Sequence, residues 1–300
     1  AKTIIDHIYR ELDIVASDAN LFVENFFGLK QVEIEDGKYL ESAIKMGADV
    51  VNLLKADENF GYVRPKKIMW EMDFKGSAPI NRVRSARMRK HLRKWIFDMS
   101  KYDLRYEVKE PLMSNDFMLW YEKFRNLLSA KEKANIKIYP GWLDEKIQEG
   151  KIPGGIFLYK EDNFIGGNIY IRSDNLFNVG FGACEKIESP NWGMGTIVDF
   201  LSAEQAKKLG YKKIRYGIDN NLYGHHLSTG LLKYKLNFGL VPVVNSKTQI
   251  YSTRFTNTDK FDDTIAFLGS KDGENVFYIL KKQGINDDLI LNTDLQTFFL

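Results

Sequence analysis

The chain has 300 residues, and its 43 Lys plus Arg nearly balance 40 Asp plus Glu, for a formal net charge of +3. This excludes a global polyanion-binding charge, so any basic surface is local. Cys184 is the only cysteine, which excludes an intramolecular disulfide and a cysteine-rich metal site. No run of about 18 apolar residues is present to span a bilayer, and Lys2, Asp6, Arg10 and Glu11 argue against a secretory leader. A cytoplasmic protein without a membrane span is the expectation.

Ile4, Ile5, Ile8, Tyr9 and Leu12 follow the helical period, and Leu21, Phe22, Phe26 and Phe27 follow it loosely. Residues 1–60 therefore read as short helices punctuated by Gly28 and Gly37. Lys67–Phe74 is strand-like and is broken by Gly76-Ser77-Ala78-Pro79. A basic helix follows, in which Arg82, Arg84, Arg87, Arg89, Lys90, Arg93 and Lys94 share a span with helically spaced Met88, Leu92, Trp95 and Ile96. It reads either as the solvated face of an amphipathic helix or as an electropositive wall for a phosphorylated ligand or RNA. Residues 1–103 thus form an N-terminal, mainly helical region.

Leu104–Lys109 reads as a strand. Ser114 or Asn115 caps a helix with Phe117, Trp120, Tyr121, Phe124, Leu127 and Leu128 on one face. A shorter helix at Leu143–Gln148 follows Pro140-Gly141. Gly155–Lys160, Phe164–Arg172 and Leu176–Ala183 then form a three-strand meander with a turn at Glu161-Asp162-Asn163. The next helix carries Val198, Leu201, Ala206 and Leu209 on one side and ends at Gly210. A strand at Lys213–Ile218, a helix at Gly224–Asn237, a strand at Leu240–Val244 and a hairpin of Ile265–Leu268 with Val276–Leu280 complete the chain. The expected class is α/β (α+β): a mixed, mostly antiparallel central sheet flanked by helices.

Asn191-Trp192-Gly193-Met194-Gly195-Thr196 lies between a strand and a helix. Glycines there let the backbone approach a phosphate-bearing ligand, and the amides of a helix start favour an anion. A plain tight turn uses the same residues. No His-x-x-x-His or carboxylate cluster points to a metal.

The order helix, helix, three-strand meander, Gly-x-Gly, helix, strand, helix, strand resembles that of the GNAT acyltransferase superfamily over residues 104–245. Gly230-Leu231-Leu232-Lys233-Tyr234-Lys235-Leu236-Asn237-Phe238-Gly239 resembles the aromatic-Lys-x-x-Phe-Gly segment of Fem-type and related acyltransferases. The helix Arg87–Lys94 is similar to the basic helix that precedes the GNAT half of those proteins. The resemblance implies a GNAT-type domain over residues 104–300 with a C-terminal hairpin extension. Residues 1–103 would then be a reduced first GNAT half.

The implied activity is direct N-acyl transfer from acyl-CoA, acetyl-CoA foremost, to the amine of a small molecule or peptide, without a metal. In a Fem-type enzyme the donor would instead be an aminoacyl-tRNA, and a GNAT fold that only binds would be a non-catalytic module. Where the superfamily's CoA turn carries Arg or Gln, this chain has Pro190 and Asn191, which leaves the backbone amides of Gly193, Gly195 and Thr196. With Phe181, Ala183, Met194 and Lys235, these are the expected donor-binding residues. Lys235 resembles the Fem-type lysine that faces the donor; its other reading is a solvated outer-face lysine beside Lys233.

Acyl transfer to an amine needs a meeting place, a base for the ammonium and an acid for the leaving group. The resemblance puts the meeting place at Val179–Glu185. Glu185 is the first choice of base, directly or through water, and otherwise a surface carboxylate. Asp219 is a second candidate, or an Asx turn with Asn220 and Asn221. His225 and His226, at the expected start of the last helix, are candidates for acid or base, or for capping and packing. Tyr223 is the candidate acid for a thiolate, or a groove-lining aromatic. Covalent catalysis by Cys184 would need a paired histidine and a lowered pKa, whereas the ordinary place of such a cysteine is the interior.

Overall fold

The computed structural model describes residues 15–16, 21–187, 193–282 and 291–299. In chain order they form β1 (Val15–Ala16), β2 (Leu21–Phe26), β3 (Leu29–Ile34), α1 (Leu40–Lys45), β4 (Val50–Leu53), β5 (Tyr62–Pro65), β6 (Lys67–Asp73) and α2 (Ala86–Asp98). There follow β7 (Leu104–Lys109), α3 (Ser114–Leu127), α4 (Ala130–Asn135), α5 (Trp142–Gln148), β8 (Ile152–Lys160), β9 (Asn163–Ser173) and β10 (Leu176–Cys184). The chain continues with α6 (Met194–Lys208), β11 (Lys213–Asn220), α7 (Thr229–Phe238), β12 (Val241–Val243), β13 (Ile250–Phe255), β14 (Thr264–Lys271), β15 (Glu274–Lys281) and β16 (Thr297–Phe299). The architecture is mixed α/β, with large, mostly antiparallel sheets flanked by helices.

The chain divides into two compact units, one of residues 1–68, 218–234 and 242–300 and the other of residues 69–217 and 235–241. This division does not follow the sequence spans 1–103 and 104–300. In the first unit the strands run in the order β1-β2-β3-β4-β13-β5, beside a second sheet β14-β15-β16.

The helices expected before residue 60 are corrected here: among the described residues of that stretch only α1 and a short 3-10 turn at Gly37–Tyr39 are helical. Leu21–Phe26 pairs antiparallel with Leu29–Ile34. Phe27 and Gly28 both take positive φ, 45° and 84°, as a two-residue hairpin turn requires. Val23, Val32, Ile34, Val51 and Leu53 bury one face under Ala43 of α1. Of the residues that mimicked a helical stripe, Phe22 and Phe26 share one face of β2, Leu21 is on the other with Val23, and Phe27 is in the turn. The Ile4–Leu12 pattern lies outside the described residues.

The opposite face hides polar groups. Arg64, 2% exposed, donates to Thr253 Oγ1 (2.7 Å), the Asn221 carbonyl (3.0 Å) and Asn52 Oδ1 (3.2 Å). Burial pushes its guanidinium down to about 10. The expected late hairpin is β14–β15, closed by Asp272 and Gly273, both at positive φ.

In the second unit the strands run β6-β11-β10-β9-β8-β7. β7 to β10 form an antiparallel meander, and β11 joins β10 in parallel. Phe117, Trp120 and Phe124 of α3 and Trp142 and Leu143 of α5 bury one face with Phe157 and Ile169. The Trp120 indole donates to the Gly167 carbonyl at 3.1 Å. α6 covers the other face, where Ser202 and Asn168 exchange hydrogen bonds of 2.8 and 3.1 Å. It ends as the sequence predicts: Gly210 (φ 86°) donates to the Lys207 carbonyl and Tyr211 to that of Ala206.

Candidate functional site

The basic helix is positioned by the very segment that resembles the Fem-type motif. The amides of Arg84 and Ser85 both donate to the Asn237 carbonyl, at 2.9 and 3.0 Å. The Arg84 guanidinium reaches the carbonyls of Leu236 (3.4 Å) and Leu240 (3.2 Å), and that of Arg89 reaches Val83 and Arg84. Gly239 has φ 95°, and a Cβ there would overlap the Arg82 carbonyl. Ser85 then caps α2 by accepting from the Met88 amide at 3.3 Å. Six of the seven cations in the run are therefore divided in function. Arg84 and Arg89 clamp backbone, while Arg87, Lys90, Arg93 and Lys94 are exposed.

Gly193 is the N-cap of α6 and offers no side-chain cap, and the first turn holds no acid. Met194 is buried, Gly195 is exposed, and Thr196 lies between these extremes. A cavity of about 360 Å³ joins this helix start to α2. Ser85, Arg87, Met88, His91, Leu92 and Trp95 line one side, and Gly193, Thr196 and Ile197 the other. Among the described residues no carboxylate lines it. Its lining residues carry hydroxyls, a guanidinium, an imidazole and an indole, all able to donate, beside the amides of the helix start. Such a lining suits a ligand rich in acceptors, and a helix start with an arginine beside it suits an anion.

β10 pairs with β11 only at Asn178↔Arg215 and Val179↔Tyr216. Its pairing with β9 continues to Cys184, so Gly180–Cys184 carry an edge outside the β11 ladder. Phe181 and Ala183 pack partly buried on the α3 side. Glu185 follows, its amide donating to the Ile165 carbonyl at 2.8 Å and its carboxylate paired with Lys123 of α3. Burial, and then the carboxylates of Asp199 and Glu185, push the Cys184 thiol well above the ordinary cysteine range. We therefore expect Cys184 in the folded protein to react with iodoacetamide at pH 8 at least about tenfold more slowly than in the denatured chain. Equal rates would show an accessible, ionisable thiol.

Lys235 is 9% exposed, with Nζ 5.5 Å from the Trp70 ring centroid, so it packs inward and does not solvate an outer face. The remaining candidates lie in the other unit. Tyr223, fully buried, donates to Asp219 Oδ2 at 2.7 Å. His226 stacks on Phe26, with ring centroids 4.6 Å apart, and meets Gln31 Nε2 at 2.9 Å, while its Nδ1 is 3.4 Å from that of His225. These histidines do not start a helix, contrary to the sequence expectation. Gly224 at φ 105° turns the chain onto the Leu227 carbonyl, and α7 begins at Thr229 with Ser228 Oγ accepting from the Leu231 amide.

Sequence reasoning picked out the glycine turn and the basic helix separately, but not their meeting. Trp95 and Leu92 were legible as a buried stripe, which they are. That Trp95 also lines a cavity had no signal in one sequence. Lys123 as the partner of Glu185 was likewise invisible. Pro190 and Asn191 lie outside the described residues.

Among the described residues no cluster of His, Cys, Asp or Glu is placed to hold a metal ion, and no helix is long and apolar enough to cross a membrane. No protein-family model and no curated protein matches the chain. Similar solved structures include L-PGS from Bacillus licheniformis, at 13% identity and a TM-score of 0.42 over 86% of this chain and 92% of that one. A tandem GNAT protein from the clavulanic acid biosynthesis pathway is similar at 9% identity and a TM-score of 0.42, over 80% and 81% of the two chains. A GCN5-related N-acetyltransferase-like protein from Streptococcus suis is similar at 12% identity and a TM-score of 0.37, over 84% and 93%. Likeness of this degree carries no argument about chemistry.

Proposed function

We propose that the chain is an N-acyltransferase of GNAT type that takes its acyl group from a phosphate-bearing thioester such as acetyl-CoA and passes it to an amine. The observation that carries this reading is the cavity, without a carboxylate among its described lining residues, where Arg87 and the start of α6 face one space. The donor's phosphates lie on the amides at Gly193–Thr196 and on Arg87. Its acyl arm runs along the β10 edge at Gly180–Cys184, where backbone groups outside the β11 ladder are free of that pairing.

In this reading the acceptor's ammonium gives one proton to Glu185, and the free amine attacks the thioester carbonyl. The new C–N bond forms, the tetrahedral oxyanion collapses, the C–S bond breaks, and the leaving thiolate takes the second proton from the nitrogen. Lys123 pairs with the Glu185 carboxylate and orients it, and it must yield part of that pairing as the proton arrives. Asp219, Tyr223 and His225 remain the alternative acid and base groups.

Isothermal titration of the purified protein with acetyl-CoA tests the donor, together with mass spectrometry of the native protein for retained CoA, acyl-CoA or RNA. Saturable acetyl-CoA binding is expected. Retention on tRNA that falls steeply with salt, with no acetyl-CoA binding, would replace the donor by an aminoacyl-tRNA. Acetyl-CoA binding without product over an amine panel would leave a binding module. Glu185→Gln is expected to lower kcat by about a hundredfold or more while changing donor affinity less than about threefold. Unchanged turnover would move the base to Asp219 or His225.

A further inference from the structure

Among the described residues β7 ends its sheet, with β8 on one side and no strand on the other. The phase of the β7–β8 pairing decides which backbone groups are left over. The Glu161 amide donates to the Asp103 carbonyl at 2.6 Å, and the Leu112 amide to that of Pro153 at 3.0 Å. With Arg105 opposite Tyr159 and Glu107 opposite Phe157, the backbone groups of Arg105, Glu107 and Lys109 turn toward β8. Those of Leu104, Tyr106 and Val108 turn outward. An open edge of this kind is a template for another strand, and native edges are blunted by prolines, bulges or charged side chains. β7 has no proline and no shift of register, and Tyr106 and Val108 are 42% and 39% exposed. Its charged residues, Arg105, Glu107 and Lys109, alternate in sign along the face that carries Tyr159 and α3. A row of one sign would repel a second copy in every register, whereas an alternating row repels it only in some.

We infer that β7 pairs antiparallel with β7 of a second copy of this chain, about a two-fold axis at Tyr106. The outward groups allow only registers that set Leu104, Tyr106 and Val108 against one another. Centred on Tyr106, the pairing sets Leu104 against Val108 of the second copy and Arg105 against its Glu107. A slip of two residues sets Glu107 against Glu107 in one direction and Arg105 against Arg105 in the other, and like charges directly opposite are destabilising. In the favoured register the outward groups form roughly six backbone hydrogen bonds. The Arg105–Glu107 pairs fall at the intervening positions, where Cα atoms are about 4.5 Å apart and side chains lie closest. The sheet then runs on from one molecule into the next. This inference does not depend on the acyl-transfer reading.

One ladder is a small interface, so a dissociation constant on the order of 10 to 100 μM is expected. Sedimentation velocity between about 5 and 500 μM should show the wild-type protein pass from monomer to dimer. Arg105→Glu makes both facing positions acidic, and Glu107→Arg makes both basic. Each variant should keep the wild-type circular dichroism and dimerise at least about tenfold more weakly, since two attractive pairs become two repulsive ones. An equimolar mixture of the two variants should recover dimers, because an acidic copy then faces a basic one. A chain carrying both exchanges should dimerise as the wild type does. Wild-type protein that stays monomeric throughout overturns the inference. So do single variants that dimerise as the wild type does, which would put the contact on another surface. A mixture as dissociated as its two components refutes the register and the inference with it.

Discussion

Gly239→Ala should destabilise the protein by about 4 kcal/mol, roughly 10 °C in Tm, and should remove the α2 wall of the cavity with it. The backbone at Gly239 has φ 95°, which an L side chain rarely adopts, and a Cβ would overlap the Arg82 carbonyl. Neither cost can be relieved locally. The turn at Gly239 brings the Leu236, Asn237 and Leu240 carbonyls to Arg84 and Ser85, and Ser85 is the cap that starts α2. Withdrawing the turn by even an ångström breaks these hydrogen bonds together. Thermal melting of the variant checks the first part of the prediction. Hydrogen exchange at the α2 amides checks the second, with faster exchange expected at Met88–Leu92 than at the β8–β9 ladder. A melting point within about 2 °C of wild type would mean that the turn adapts and does not set the helix.

This clamp also shows how far the sequence could be read. Leu104–Lys109, the α3 helix from Ser114, the meander and the Gly210 stop were legible because each depends on local period and local turn chemistry. β4, β5 and β13 were not. Their partners lie as far apart as Asn52 and Thr253, and their inner faces carry Asn52, Arg64 and Thr253, which break the alternation that marks a strand. Hydrogen bonds among those side chains decide their burial, and hydrogen bonds leave no period in a sequence. The site follows the same rule. The glycine turn and the cationic helix were each visible, but the division of the arginines into backbone clamps (Arg84, Arg89) and exposed charge (Arg87, Arg93) depends on carbonyls more than 140 residues away for Arg84 and on one turn of local geometry for Arg89.

Gly195→Val should leave the fold intact and weaken acetyl-CoA binding by about a hundredfold or more. Gly195 occupies the first turn of α6, is exposed, and a Cβ there meets no atom within 4 Å. A valine therefore fits the free protein, and in a helix it costs less backbone entropy than glycine. The bound state is different. An anion on these amides needs N–H···O distances of about 2.9 Å, and a branched side chain beside them holds an oxygen at van der Waals range. Every N–H···O interaction between these amides and a phosphate is a charge-assisted hydrogen bond, so breaking two of them accounts for the expected factor. Gly195→Ala, with a single methyl, should fall between valine and wild type. The two variants should melt within about 2 °C of wild type, which separates this effect from that of Gly239→Ala. Titration calorimetry with acetyl-CoA reads the affinity. If Gly195→Val binds as tightly as wild type, the donor's phosphates do not sit on the start of α6, and the acyl-transfer reading loses its anchor in the cavity.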